Sequence, residues 1–381
     1  MKRKILVIPP HFIEPDRLKI RLIEIARLLS NRHEVYLLGW NAAIEKNLIL
    51  RIKSCFKDFF RKQEIIKKDK FNMVGFPLLH RPLCLAPKVN AFFLKEFIGK
   101  NNIEIVLSGA MYMFDFPKEK KFKYILDVAD SPFGNDETKF DKFIYERFLE
   151  EAKKADTVTV VSGGLKEFVK DRCVKEAIVL SNGVYVDKLR NFIPTRTAGL
   201  KEEAFLENKW VIGYIGYIGS WVEVEFMIKV LRRIQRDIPN AALLFVGPSD
   251  NLVNLRKKFT SKDVIFTGEV LEDINIYFNR IDMGVLPHSK NYYQDVAFHI
   301  KLLEYTAARK FVVSTDLEEI KRLKFSNIKT ADLDIELWSD IIKEIKLSRW
   351  QSSWDDEVNP YDWENIISKL SEFLEDGLKI R

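Results

Sequence analysis

A chain of 381 residues, 47% hydrophobic and 31% charged, has the make-up of a soluble globular protein, and at ~100–200 residues per domain it holds two domains rather than one small module. No apolar run approaches the ~18 residues of a membrane span, and Cys55, Cys84 and Cys173 are too few and too scattered for a disulfide framework or a zinc site. The net charge of +7 is concentrated in residues 51–71, with eight basic and three acidic side chains, too local for a nucleic-acid groove, so nucleic acid is excluded as the main partner.

The charged start of the chain leads into only four apolar residues, Ile5 to Ile8, before Pro9 and Pro10, unlike a secretory signal, and a cytoplasmic location is expected. Short β-branched runs then alternate with helical patterns, as in βαβ units with a parallel sheet. In the first half strands are expected at 4–8, 34–39, 105–108, 124–128, 157–162 and 177–180. Within 51–71, Ile52, Phe56, Phe59, Phe60, Gln63 and Ile66 gather on one side of a helix, with Lys53, Lys57, Arg61, Lys67 and Lys68 around them. Such a helix either lies on an anionic membrane surface or packs its phenylalanines on the sheet. Residues 190–208, with Pro194, Gly199 and mixed charge, read as a linker. The strand pattern restarts at 210–215, 241–246, 264–267, 283–286, 311–314 and 327–330. Past Pro360, Ile366, Ile367, Leu370, Phe373 and Leu374 form one helical face, suited to a helix that returns to the first domain or caps its own.

Ligands of open parallel sheets bind beyond the carboxyl ends of the strands. In the second half these ends carry Gly213-Tyr-Ile-Gly216-Tyr-Ile-Gly219-Ser220, then Gly247-Pro248, then Gly268-Glu269, turns that let backbone amides approach a phosphate or a base lie against main chain. The spacing is not GxGxxG, so no nicotinamide or flavin fingerprint is present. Farther on come Pro287-His288-Ser-Lys290 and Phe298-His299-Ile-Lys301-Leu302-Leu-Glu304-Tyr305. Lys301 and Glu304 share a helix face at i, i+3. With a helix start near Phe298, its N–H groups and Lys301 suit a diphosphate, and Glu304 accepts from ribose hydroxyls; an ordinary ion pair is the alternative. In the first half, Asp127 and Asp130 close the strand 124–128 and either meet an acceptor or cap a turn. His11 and His299 lie on loops expected to face the ligand.

These segments together resemble the retaining family 4 type of GT-B glycosyltransferase (glycosyl transferases group 1). The resemblance rests on Gly213-Tyr-Ile-Gly216, Trp221 with Glu223, Lys301-Leu-Leu-Glu304-Tyr305, Lys310-Phe-Val-Val-Ser-Thr315, Ala155 to Ser162 and Leu180-Ser-Asn-Gly183-Val184. It implies an α/β fold of two Rossmann-like domains with parallel sheets facing across a cleft. The expected division is 1–190 on the acceptor side, a linker at 191–208, 209–360 for the nucleotide-sugar, and a terminal helix at 361–381. It implies a retaining transferase of hexosyltransferase type, taking part in polysaccharide biosynthesis. The sugar passes from a UDP- or GDP-sugar to a glycan, polyprenyl-linked or other hydroxyl acceptor, with no metal or other cofactor required.

By the same resemblance Lys301 neutralises the departing diphosphate and Glu304 holds the ribose, with Asp130 as the third catalytic candidate. Gly216, Gly219, Ser220, Gly247, Gly268, Glu269, Lys290, His299 and Leu302 complete the donor side, and His11, Asp127 and Asp130 form the acceptor side. The chain departs from the family where the first glutamate of the usual E-x7-E pair falls on Val296, with Asp295 as a stand-in and Lys290 as a second cation. A nucleotide-sugar 2-epimerase of the same fold and a non-catalytic nucleotide-sugar-binding protein are the alternatives.

Overall fold

The computed structural model describes residues 2–10, 21–39, 48–68, 70–110, 112–132, 138–191, 202–270 and 274–375. The chain divides into two units, one of residues 1–181 with 366–381 and the other of 182–365.

The aliphatic runs of the first unit become β1 (Lys4–Ile8), β2 (Glu34–Leu38), β3 (Glu64–Lys67), β4 (Asn72–Gly75), β5 (Ile105–Ser108), β6 (Lys123–Val128), β7 (Thr157–Val160) and β8 (Ala177–Val179). They form one sheet in the order β3-β4-β2-β1-β5-β6-β7-β8. The ladder is parallel except for β3, which pairs antiparallel with β4. Ile5 to Ile8, Ile105 to Ser108 and Thr157 to Val160 are buried at every position, as strands covered on both faces must be.

The hairpin β3–β4 corrects the expectation of one helix through residues 51–71. The helix is Leu48–Phe59, and Gln63 and Ile66 lie beyond it. Arg61 turns the chain: its guanidinium donates to the Gly39 carbonyl at 3.0 Å and to Glu64 at 2.8 Å, and it fills the space over Gly75 that a side chain there would need. Ile65 and Ile66 then pair with Val74 and Met73, because a β-branched pair next to a second extended segment gains a ladder that a helix cannot offer.

The second unit contains β9 (Trp210–Ile215), β10 (Ala241–Val246), β11 (Val264–Phe266), β12 (Met283–Leu286), β13 (Phe311–Thr315) and β14 (Ile328–Ala331). All pair in parallel, in the order β11-β10-β9-β12-β13-β14. The order reverses between β9 and β12, so the crevice of this sheet opens there. Helix Trp363–Glu375 begins in the second unit, and its residues from Ile366 onward group with the first. Ile366, Ile367, Leu370 and Leu374 are buried along one face, the spacing of a helix packed on one side.

Candidate active site

β9 and β12 pair only at Ile212 with Met283 and Gly213 with Gly284, and then part. The phenol of Tyr305 fills the fork: its oxygen accepts from the Ile215 amide at 2.9 Å and donates to the Gly213 carbonyl at 3.1 Å. Gly284 is required beside it, since a β-carbon there would stand 2.7 Å from the Tyr305 ring. Strands that would otherwise zip together are thereby held apart over the crevice.

Three turns converge on this opening. Gly247, at φ +137°, packs so closely that a side chain would overlap the Gly216 carbonyl, and its amide donates to the Gly268 carbonyl at 3.1 Å. Gly268 adopts φ +77°, the left-handed region that glycine enters without strain. A β-carbon on Gly216 would lie 3.2 Å from Lys301 Cε, so the first turn runs directly past the lysine. Gly219 and Ser220 line a cavity of about 540 Å³ with Tyr217, Trp221, Glu223 and Asp250. Glu269 is exposed at the third turn.

The lysine is on helix Ile300–Ala307, which starts two residues later than the sequence indicates. No side chain caps its N-terminus. The Ile300 and Leu302 amides donate to Phe298 and His299 carbonyls, which leaves the Lys301 N–H, among the described residues, without a backbone acceptor. An uncapped helix start with a lysine in its first turn is an anion-binding arrangement. Lys301 Nζ stands 2.8 Å from Glu304 Oε2, both side chains being mostly buried. That oxygen lies off the axis of a hydrogen bond and accepts none among the described residues. It is a buried acceptor whose one charged neighbour among the described residues is the Lys301 ammonium.

Behind this pair sit His288, Gln294 and His299, all buried. His288 Nδ1 is 2.8 Å from Gln294 Oε1, and His299 Nε2 is 3.0 Å from the Gln294 carbonyl. Burial pushes His288 down to about 3 and His299 to about 4, so both rings are neutral near pH 7. Gln294 and His288 were not anticipated as site residues; a histidine and a glutamine spaced six apart, flanking a strand-to-helix loop, give no periodic signal.

Two donor-side expectations are corrected. Leu302 is fully buried in the hydrophobic core, so its side chain packs under the helix rather than against a ligand. Lys290 is 3.6 Å from Asp316 and 3.5 Å from Asp332, residues that follow β13 and β14, so its charge is shared with two carboxylates and it is not an unpaired second cation. Asp295 is likewise committed, accepting from the Glu318 amide at 3.2 Å, while Val296 is buried.

In the first unit, the acceptor-side reading of Asp127 is also corrected. It is 2% exposed and paired with Arg21 through contacts of 3.0 and 3.2 Å, with Thr159 donating to it at 2.8 Å. Arg21 further donates to the Leu180 and Ser181 carbonyls, so Asp127 ties β6 to the helix after β1 and to the end of β8. Arg21 was missed because its partner is 106 residues away. Asp130 is exposed two residues past β6. His11 lies outside the described residues. Among the described residues no cluster of His, Cys, Asp and Glu has metal-binding form.

Two parallel-sheet units, the second with glycine turns and a Lys/Glu helix at its switch point, define the fold of the GT-B glycosyltransferases. Residues 209–339 match the family Glycosyl transferases group 1, so the second unit is a group 1 glycosyltransferase domain, as the resemblance implied. The crystal structure of a glycosyltransferase from Rickettsia africae ESF-5 superposes with a TM-score of 0.70 at 16% identity, covering 100% of both chains. Anabaena HepE in complex with UDP gives 0.67 at 14% identity, covering 99% of this chain and 100% of that one. Sucrose-phosphate synthase from Thermosynechococcus elongatus gives 0.67 at 13%, covering 98% and 99%. In sequence, the chain is 27% identical over 113 residues to a Bacillus subtilis (strain 168) protein, TuaH, named for glycosyltransferase action in teichuronic acid biosynthesis; the match takes in 29% of this chain and 28% of that protein.

Proposed function

We propose that the chain is a hexosyltransferase that moves a sugar, with retention of anomeric configuration, from a UDP- or GDP-sugar to a hydroxyl of a glycan or polyprenyl-linked acceptor in polysaccharide assembly. The observation that carries this is the Lys301–Glu304 pair on an uncapped helix start beside the Gly216 turn. Breaking a glycosyl phosphate builds negative charge on the leaving oxygen, which Lys301 and its free N–H are disposed to stabilise. Glu304, one turn farther along the helix from Lys301, takes the ribose hydroxyls. The leaving phosphate then receives the acceptor's proton on the same face of the sugar, and Asp130 orients that acceptor. The UDP and UDP-glucose complexes of HepE support a uridine donor, and the name of the Bacillus relative supports a polysaccharide acceptor.

A thermal-shift screen of UDP, GDP, ADP and dTDP sugars tests the reading, because a ligand that binds only the folded state raises its melting temperature. UDP- or GDP-sugars are expected to stabilise the protein, with Lys301→Ala and Glu304→Ala each weakening the effect. Unchanged melting with every nucleotide sinks the donor site, and binding without transfer to any acceptor leaves a nucleotide-sugar-binding protein.

The first unit exposes Ile52 and Phe56 on helix Leu48–Phe59 and Phe60 just after it, together with Ile65 and Ile66 on β3, among Lys53, Lys57, Lys67 and Lys68. No helix among the described residues is long and apolar enough to cross a membrane. This aromatic and basic surface suits peripheral attachment to anionic lipid on the cytoplasmic face, where a lipid-linked acceptor resides. Flotation with phosphatidylglycerol vesicles should carry the protein and lose it on Lys53→Glu/Lys57→Glu; equal flotation with neutral vesicles argues against attachment by charge.

A further inference from the structure

The hydrogen bonds behind Lys301 have fixed direction. The Gln294 main-chain carbonyl only accepts, so the His299 Nε2 it faces carries the proton. Gln294 Oε1 likewise accepts from His288 Nδ1. Each neutral ring therefore presents its other nitrogen as a lone pair. That of His288 faces the Tyr214 hydroxyl at 3.5 Å, whose proton is directed to the Tyr217 carbonyl at 2.9 Å. His299 Nδ1 has no hydrogen-bond partner among the described residues, although the residue is only 8% exposed.

His299 immediately precedes the helix of Lys301, and its Nδ1 lone pair offers an acceptor to a ligand donor there. A phosphate or carboxylate oxygen carries no proton at neutral pH and is repelled by the lone pair, whereas a sugar hydroxyl satisfies it. We propose that Gln294 is a positioning residue: by setting the tautomers of His288 and His299, it keeps His299 Nδ1 as the acceptor for a hydroxyl of the transferred sugar. The inference rests on the donor reading above. The charged and titratable groups around the pair are Asp295, already bonded to the Glu318 amide, Tyr214, and Lys301 with Glu304. With His288 and His299 neutral, Lys301 is the one cation among these groups.

Long-range proton–nitrogen NMR spectra of the full chain labelled with ¹⁵N-histidine test this, with resonances assigned from His288→Asn and His299→Asn. At pH 7 His299 should carry its proton on Nε2, and UDP-glucose but not UDP should shift its Nδ1 signal. Gln294→Glu places a carboxylate against His288 Nδ1 and should raise the His288 titration toward neutral pH, an effect that a merely space-filling Gln294 does not predict. His299→Phe should weaken UDP-glucose binding by about 3- to 10-fold, the worth of one neutral hydrogen bond, and leave UDP unaffected. His299→Asn, whose Oδ1 takes the place of Nδ1, should restore most of it. A proton on Nδ1, a charged ring at pH 7, or identical His299 signals with UDP and UDP-glucose overturns the inference alone. Binding of neither nucleotide by the wild-type chain overturns the donor reading and this inference with it.

Discussion

Asp127 and Glu304 are both carboxylates close to strand ends, and their partners give them opposite tasks. Asp127 accepts three hydrogen bonds from Arg21 and Thr159 in a dry setting, whereas Glu304 Oε2 meets the Lys301 ammonium and accepts no hydrogen bond among the described residues. Removing the guanidinium strands a buried charge, so Arg21→Leu should destabilise the first unit by about 3–5 kcal/mol in urea unfolding. Asp127→Asn should cost less, because Arg21 retains the Leu180 and Ser181 carbonyls; equal losses would mean that the carbonyl contacts contribute nothing. The two aspartates of Asp127-Val-Ala-Asp130 look equivalent in sequence, since a strand-end carboxylate reads the same whether it meets solvent or an arginine from a distant helix. Lys301 and Glu304 were legible because their i, i+3 spacing lies within one helix. Lys290 was not, because its carboxylate partners follow two other strands.

At the scale of elements, the aliphatic strands were legible because burial on both faces demands unbroken β-branched runs, and twelve of the fourteen strands among the described residues overlap the expected positions. The two that were not, β3 and β4, depend on Arg61 reaching Gly39 and Gly75, a tertiary contact with no periodic trace. The fork at β9 and β12 is another such contact. Tyr305→Phe keeps the ring but removes the oxygen that serves Ile215 N–H and the Gly213 carbonyl. The expected cost is about 1–3 kcal/mol for the stranded backbone groups. Because the Gly216 turn follows directly, nucleotide-induced thermal stabilisation should shrink as well. A variant with wild-type melting and wild-type nucleotide response would show that the phenol does not hold the fork.

For the molecule as a whole, the two units differ in how the chain supplies them. The second is one continuous stretch, 182–365, while the first draws on both sides of it. A chain ended after Asn365 removes Ile366, Ile367, Leu370 and Leu374 from the core of the first unit, at a typical ~2–5 kcal/mol for each large aliphatic side chain lost. Limited proteolysis of that variant should digest the first unit while 182–365 persists; simultaneous digestion of both would show that the second unit depends on the first.

The split origin of the first unit also orders events during translation. Residues 366–375 leave the ribosome only after every residue of the second unit has been made, and domains tend to fold as units as they emerge. The half that is started first is therefore the half completed last. Until then the apolar surface that Ile366, Ile367, Leu370 and Leu374 pack against stays bare, for the length of time the ribosome takes to read through an entire neighbouring domain.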